Sequence, residues 1–469
     1  MKRIGDNPGV KRGDPRPRQK EGPNFAALTL AILAVAASPL MPVFLPHKVA
    51  ALLWPLGLGT LGALVTVFSG VFATVRNRGR ADWLAPSGLP SIYVFASFLL
   101  PTYAMFAQGQ RFSIFTQESL SGRTPTLVAT CALSFFLGAS FRPRKKVTTQ
   151  LPGDAPGALA RVGTVLFVAT LLLNVYLLTS RGVGVRGQQQ TTYTELSFIG
   201  PLVNMMGPCS ILMLLASKES AKLKGIWAPP PALAAVVLIS LIVLNGDRAS
   251  AVGIVFLLLY GATRNKTRTA ALILTLAAVT MLAARVSEYR QGAAGGASQT
   301  TTADSTLGDL SVVTYTLGAT AAHVPSEMKF AYGSSILDGA IRQLPSPLAL
   351  RLLGPPEGSG TLRFRQIIGY QDPNNGLGFS LPAEGYLNFG LLGAGIICLF
   401  LGLLLSFLYG LSQSHAGTVL GKYLYPLALS SFAFALRSDF YGAVKGFLYP
   451  AIFLWLALIF SRHRSKAAR

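Results

Sequence analysis

Charge is what this chain does without over most of its length. Thirteen stretches of 14–37 residues contain no Asp, Glu, Lys or Arg, and 13% of all residues are charged, against ~25% in a typical soluble domain. Twelve of the stretches are rich in Leu, Ala, Val, Ile and Phe, while 310–326 is too polar to join them. About 20 apolar residues cross a hydrocarbon core of ~30 Å. With 51% hydrophobic residues, a soluble fold is excluded, because it would leave too much apolar surface in water. Cysteine is scarce too. Cys131, Cys209 and Cys398 are odd in number and lie in apolar stretches, which excludes a disulfide framework and a Cys/His metal site. There is no Walker A loop, no HExxH and no GxSxG with a plausible triad. No acidic cluster of the DxD kind stands between the apolar runs, so nothing in the sequence calls for a metal or another cofactor.

What remains is an all-α polytopic membrane protein of about twelve transmembrane helices. The spans fall near 25–46, 50–75, 87–108, 124–141, 162–179, 197–216, 227–245, 249–263, 269–284, 385–409, 423–436 and 447–461. Residues 1–24 form a basic tail, expected to be disordered and cytoplasmic. Residues 25–284 hold helices 1–9, 285–384 one large external loop, 385–461 helices 10–12, and 462–469 a second cytoplasmic tail. The net charge of +23 is spread as topology signals, which excludes nucleic acid as the partner. With both termini inside, the inner loops and tails carry 26 basic and 6 acidic residues, and the outer side 15 and 12. That asymmetry follows the positive-inside rule. A loop as long as 285–384 is uncommon unless it is functional or folded. Two helices are expected in it. One runs from Ser305 with Leu307, Leu310, Val313 and Leu317 on one face, the other follows Ser334-Ser335 and stops at Pro345.

The chemistry must sit in the charged places between spans. Twelve arginines and three lysines (Lys48, Lys329 and Lys445) fall on the outer side. Arginine's planar fork of donors suits phosphate oxygens. Arg248 lies in the tight turn Asn245-Gly246-Asp247-Arg248. Arg285 ends the ninth span and Arg290 follows it, while Arg437 occupies another short turn with Asp439. Arg181 stands in a glycine-rich loop and Arg342 in the long one. Each is a candidate for anion binding as a group, although snorkelling and ordinary ion pairs account for single arginines; Asp247 and Asp439 are placed to neutralise their neighbours. Glu384 is the acidic candidate, where the long loop re-enters the membrane. A helix start alone would stabilise its carboxylate, whereas a general base at a membrane mouth is the functional reading. Tyr386 and Asn388 beside it are placed to contact sugar.

Phe330-Ala-Tyr-Gly333-Ser-Ser-Ile-Leu-Asp-Gly-Ala-Ile-Arg342-Gln-Leu-Pro345 resembles a loop element of the bacterial O-antigen and oligosaccharide repeat-unit polymerases, the Wzy type. Glu384-Gly385-Tyr386-Leu387-Asn388-Phe389-Gly390-Leu391-Leu392-Gly393 resembles their "Glu-x-Tyr-x-x-Phe-Gly-x-x-Gly" entry to the following span. Asn245-Gly246-Asp247-Arg248 is similar to their "Gly-x-Arg" turn. One departure is Ser346, where that family has Arg after the loop proline; Arg342 or Arg351 is the substitute. The resemblance implies a GT-C-like glycosyltransferase of the bacterial inner membrane, acting at its outer face. The substrate would be an undecaprenyl-diphosphate-linked oligosaccharide, with a flippase and a chain-length regulator as partners. Glu384, Arg248 and Arg285 would then be catalytic. Arg181, Arg290, Arg342, Arg437, Tyr386, Asn388 and Asp247 would bind substrate, without metal. The alternatives are an O-antigen ligase-type transferase and a transporter; charge-free spans argue against the latter.

Overall fold

In the computed structural model the described residues are 48–78, 82–103, 123–141, 156–181, 199–219, 229–245, 248–264, 302–344, 351–352, 359–369, 379–414 and 419–467. They form helices α1 (Lys48–Arg78), α2 (Leu89–Tyr103), α3 (Thr124–Ser140), α4 (Pro156–Arg181), α5 (Ile199–Glu219), α6 (Pro231–Leu244) and α7 (Arg248–Arg264). Then follow α8 (Thr302–His323), α9 (Ser334–Ile341), α10 (Gly360–Ile367), α11 (Leu381–Ser414), α12 (Val419–Leu436) and α13 (Phe440–Ala467). No strand occurs among the described residues. The spans expected at 25–46 and 269–284 lie outside them.

The protein is a helical membrane protein. Three helices are long and apolar enough to cross a bilayer, over Trp54–Phe72, Leu159–Ser180 and Leu381–Gln413, and shorter apolar helices pack between them. Large apolar side chains such as Phe68, Phe72, Leu172, Leu392 and Phe400 stand exposed, as lipid-facing surfaces require and water-facing ones do not. Helices α3 and α11 cross closely. A Cβ on Gly138 would fall 2.4 Å from the Leu399 carbonyl oxygen, and one on Gly402 2.4 Å from that of Phe135. In lipid, helices gain from such small-residue contacts because they let backbones approach.

The polar stretch 310–326 is not a surface loop. It lies largely in α8, whose 22 residues pack against α2, α3 and α11. Val313 and Leu317, expected on one face, are fully buried, and so are Thr314 and Thr320. Their hydroxyls find backbone acceptors. Thr314 donates at 3.0 Å to the carbonyls of both Ser97 and Phe98, where α2 widens to i→i+5 bonding over Phe95–Leu99 and leaves carbonyls to satisfy. Thr316 donates to Ser380 Oγ at 2.7 Å, tying α8 to the start of α11.

The span expected over 385–409 does not run as one continuous helix. Helix α11 breaks at Phe389 (φ −139°, ψ 20°) and Gly390 (φ 64°, ψ −151°). A Cβ on Gly393 would fall 2.2 Å from the Gly385 carbonyl oxygen, although a straight helix would hold those residues ~12 Å apart. The chain therefore folds back as a hairpin with a short arm, 381–388, and a long arm, 391–414.

Candidate active site

The short arm of α11 ends at Asn388 with carbonyls that lack helical partners. The segment before α9 supplies them. Ala331 N–H donates to the Leu387 carbonyl at 2.9 Å and Tyr332 N–H to that of Asn388 at 3.2 Å. Gly333 N–H donates to Asn388 Oδ1 at 2.8 Å. This approach puts Tyr332 at φ 45° and Gly333 at φ 86°; glycine takes that conformation without steric cost. Helix α9 starts there and delivers Ser335 to the short arm.

Glu384 is fully buried. Its Oε1 accepts from Ser335 Oγ at 2.7 Å, and its Oε2 accepts from the N–H of Phe440, the first residue of α13. Asn388 uses its amide on Ser335 Oγ and on the Glu384 carbonyl, both at 2.8 Å. A Cβ on Gly360 would stand 2.9 Å from the carboxylate, so α10 closes the remaining side. Asp439 caps α13, with Oδ1 accepting from Gly442 N–H at 2.9 Å. Its Oδ2 accepts from Thr361 Oγ1 of α10 at 2.8 Å. Asp439 and Arg363 both stand near enough to act electrostatically on Glu384. Two carboxylates thus share the positive end of α13, one as its own cap and one from α11.

Of the residues singled out by sequence, Glu384 and Asn388 come together in this network, while Tyr386, on the same short arm, has other partners. Tyr386 is buried; its hydroxyl donates to the Val324 carbonyl at 3.4 Å and its ring meets Phe330 edge-on. Arg437 sits half-buried in the turn two residues before Asp439. Arg342 follows α9, and its Nε bonds Asp338 Oδ2 at 2.8 Å. Arg181 is the last residue of α4 and Arg248 the first of α7. Asp247, Arg285 and Arg290 lie outside the described residues. His323 pairs with exposed Glu327 at 2.8 Å and is not in this network. Sequence reasoning missed Ser335, Thr361 and Arg363 as members of the site and read Asp439 as a neighbour of Arg437 and a fallback base, not as a partner of Glu384. Ser335 had a signal, since it stands in the Gly-x-Ser of the loop motif. Arg363 had none that set it apart from eleven other outer arginines.

An apolar cavity of about 240 Å³ lies between the long arm of α11, α12 and α13. Leu404 and Leu405 line its far end, and Ile336, Leu381 and Phe440 line the end next to Ser335 and Glu384. Its one polar liner, Ser431, donates to Gly446 O at 2.7 Å. Among the described residues no group of three His, Cys, Asp or Glu is placed to hold a metal ion.

A family model of the O-antigen polysaccharide polymerase Wzy matches residues 131–466. The chain belongs to the Wzy O-antigen polymerase family. Comparison with curated proteins found no match, and comparison with solved structures found none either. Most of α3, helices α4 to α12 and all but the last residue of α13, and with them the whole Glu384 network, fall inside the part matched to the Wzy family, whereas α1, α2 and the start of α3 precede it. Membership makes the chain an enzyme of polysaccharide synthesis that joins O-antigen repeat units. It favours neither the ligase-type transferase nor the transporter weighed on sequence.

Proposed function

We propose that the protein polymerises undecaprenyl-diphosphate-linked oligosaccharide repeat units at the outer face of the bacterial inner membrane. The observation that carries this reading is the apolar cavity that ends beside Glu384. The cavity, lined almost entirely by carbon, suits a segment of a polyprenyl tail next to its headgroup, and the diphosphate and first sugar then lie at the start of α13. The chain crosses the membrane twelve times with both termini inside, and residues 285–384 face outward. A sugar hydroxyl of a single repeat unit attacks the anomeric carbon of the growing glycan. The bond from that carbon to the diphosphate oxygen breaks, and the electron pair leaves with the lipid diphosphate. Glu384 takes the hydroxyl proton. Arginines meet the charge on the leaving diphosphate; Arg363 stands at the network, Arg437 lies in the turn just before Asp439, and Arg248, Arg285, Arg290 and Arg181 belong to the same outer face. No metal takes part. Ser335 Oγ, 2.7 Å from Oε1, holds the place of the acceptor hydroxyl, so α9 shifts when substrate enters.

A second reading has its own observation. Glu384 joins α9, α11 and α13 by hydrogen bonds to both carboxylate oxygens, as an architectural clamp would, and the base then lies elsewhere.

Purified protein given lipid-diphosphate repeat units should produce a ladder of lengthening glycans. Transfer of glycan to lipid A–core without a ladder would identify a ligase. Movement of the lipid across vesicles without any transfer would identify a transporter and sink the proposal.

A further inference from the structure

One surface beside the Glu384 network is left incomplete. Tyr441, Lys445 and Tyr449 recur every four residues along α13 and form a stripe of ~12 Å, starting one residue after the Phe440 N–H that holds Glu384. The Lys445 ammonium lies 5.0 Å from the Tyr441 ring centre and 5.8 Å from that of Tyr449. It donates to Tyr441 Oη at 2.9 Å and has no carboxylate partner among the described residues. An ammonium has three donors, so two remain. Gln343 borders the stripe. Its Nε2 donates to the carbonyls of Gly339 at 3.1 Å and Tyr441 at 3.0 Å, and its own carbonyl accepts from Tyr449 Oη at 2.7 Å. The two carbonyl partners fix which amide atom is nitrogen. Gln343 Oε1 is therefore an acceptor, and it is buried without a donor. Proteins leave few such atoms unpaired, and each calls for a water, an ion or a ligand.

We infer that Gln343, Tyr441, Lys445 and Tyr449 form a subsite for an acidic sugar ring of the repeat unit, with a uronate as its ligand class. The inference rests on the polymerase reading above. The two phenol rings offer flat apolar surface to the C–H face of a pyranose. Lys445 pairs with the sugar carboxylate through its remaining donors. A ring hydroxyl donates to Gln343 Oε1 and completes the orphaned acceptor. A lysine that merely anchors the helix at the interface would extend its ammonium into water; this one lies against two rings.

Binding is read on the full chain in nanodiscs by saturation-transfer NMR titration, with methyl β-D-glucuronide, methyl β-D-glucoside and inorganic phosphate as probes. The glucuronide should bind more tightly than the glucoside, and phosphate should compete poorly. Lys445→Gln should weaken the glucuronide roughly tenfold to a hundredfold, down to the glucoside level, by removing one charged contact. Lys445→Arg should keep the preference, and Tyr449→Leu should weaken both sugars. Each variant is first matched to wild type in melting temperature; Lys445→Arg serves as the reporter should the Gln variant unfold, and its loss of preference would count against the subsite. Equal binding of the two sugars, no binding of either, or full competition by phosphate would overturn the inference. The wild-type glycan ladder is measured separately. An absent ladder speaks against the polymerase reading, whereas a normal ladder without glucuronide preference speaks against this subsite alone.

Discussion

At the scale of single residues, Glu384 separates chemistry from architecture. Glu384→Gln keeps the volume and leaves one oxygen to accept from Phe440 N–H, while its amide can donate to Ser335 Oγ. The variant should fold with little loss. As the general base it should polymerise ~10²–10⁴-fold more slowly, read as the rate of ladder formation. Wild-type turnover in this variant would leave the clamp as its role. Glu384→Ala should instead destabilise the protein, because it strands the part-buried Phe440 N–H at a cost of up to ~1–3 kcal/mol. Arg437→Ala should weaken donor binding about 10- to 150-fold, for the loss of ~1.5–3 kcal/mol of charged hydrogen bonding. Lysine should rescue it poorly because it lacks the planar fork. Unchanged donor affinity in the Ala variant would remove Arg437 from the site.

At the scale of elements, the hairpin in α11 sets where Glu384 and Asn388 stand. Its short arm carries Glu384 and Asn388, and its fold-back needs two glycines for two reasons. Gly390 lies at φ 64°, ψ −151°, a region essentially reserved for glycine. Gly393 admits the Gly385 carbonyl so closely that an added methyl carbon would lie 2.2 Å from it. Gly393→Ala should cost roughly 1–3 kcal/mol of stability through overpacking and should reduce polymerisation further than that loss explains, since the short arm is displaced with Glu384 on it. Thermal melting in detergent beside the ladder assay tests this; a variant as stable and active as wild type would mean the arms do not depend on the contact. The motif glycines were visible in the sequence. That they fold a helix back on itself was not, because a local pattern of Gly, Phe and Leu is equally compatible with one continuous apolar helix.

At the scale of the molecule, the cavity and the topology make separate predictions. Ala435 lines the cavity between α11, α12 and α13. Ala435→Phe should fill it, raise the substrate concentration needed for half-maximal polymerisation and leave the melting temperature near wild type. If the lipid tail binds elsewhere, the kinetics will not change. Topology is checked with a cysteine at Thr300. A membrane-impermeant reagent should label it from the outer face of oriented vesicles. Labelling only from the cytoplasmic side would reverse the charge-based orientation and move the reaction to the other face.

The sequence by itself determined that this is a helical membrane protein, because hydrophobic run length is a local quantity and lipid accepts little else. It also pointed to Glu384, Tyr386 and Asn388, which lie within five residues and share one motif. Tertiary structure alone decided what surrounds them. Ser335, Thr361, Arg363 and Asp439 come from three separate parts of the chain, and only the packing of α9, α10 and α13 around the short arm of α11 makes them neighbours. The polar stretch 310–326 shows the same limit. Its threonines look unfit for the interior as isolated residues, yet α2 offers carbonyls at Ser97 and Phe98. A buried hydroxyl is costly only when it lacks a partner, and partners distant in sequence are fixed by the fold.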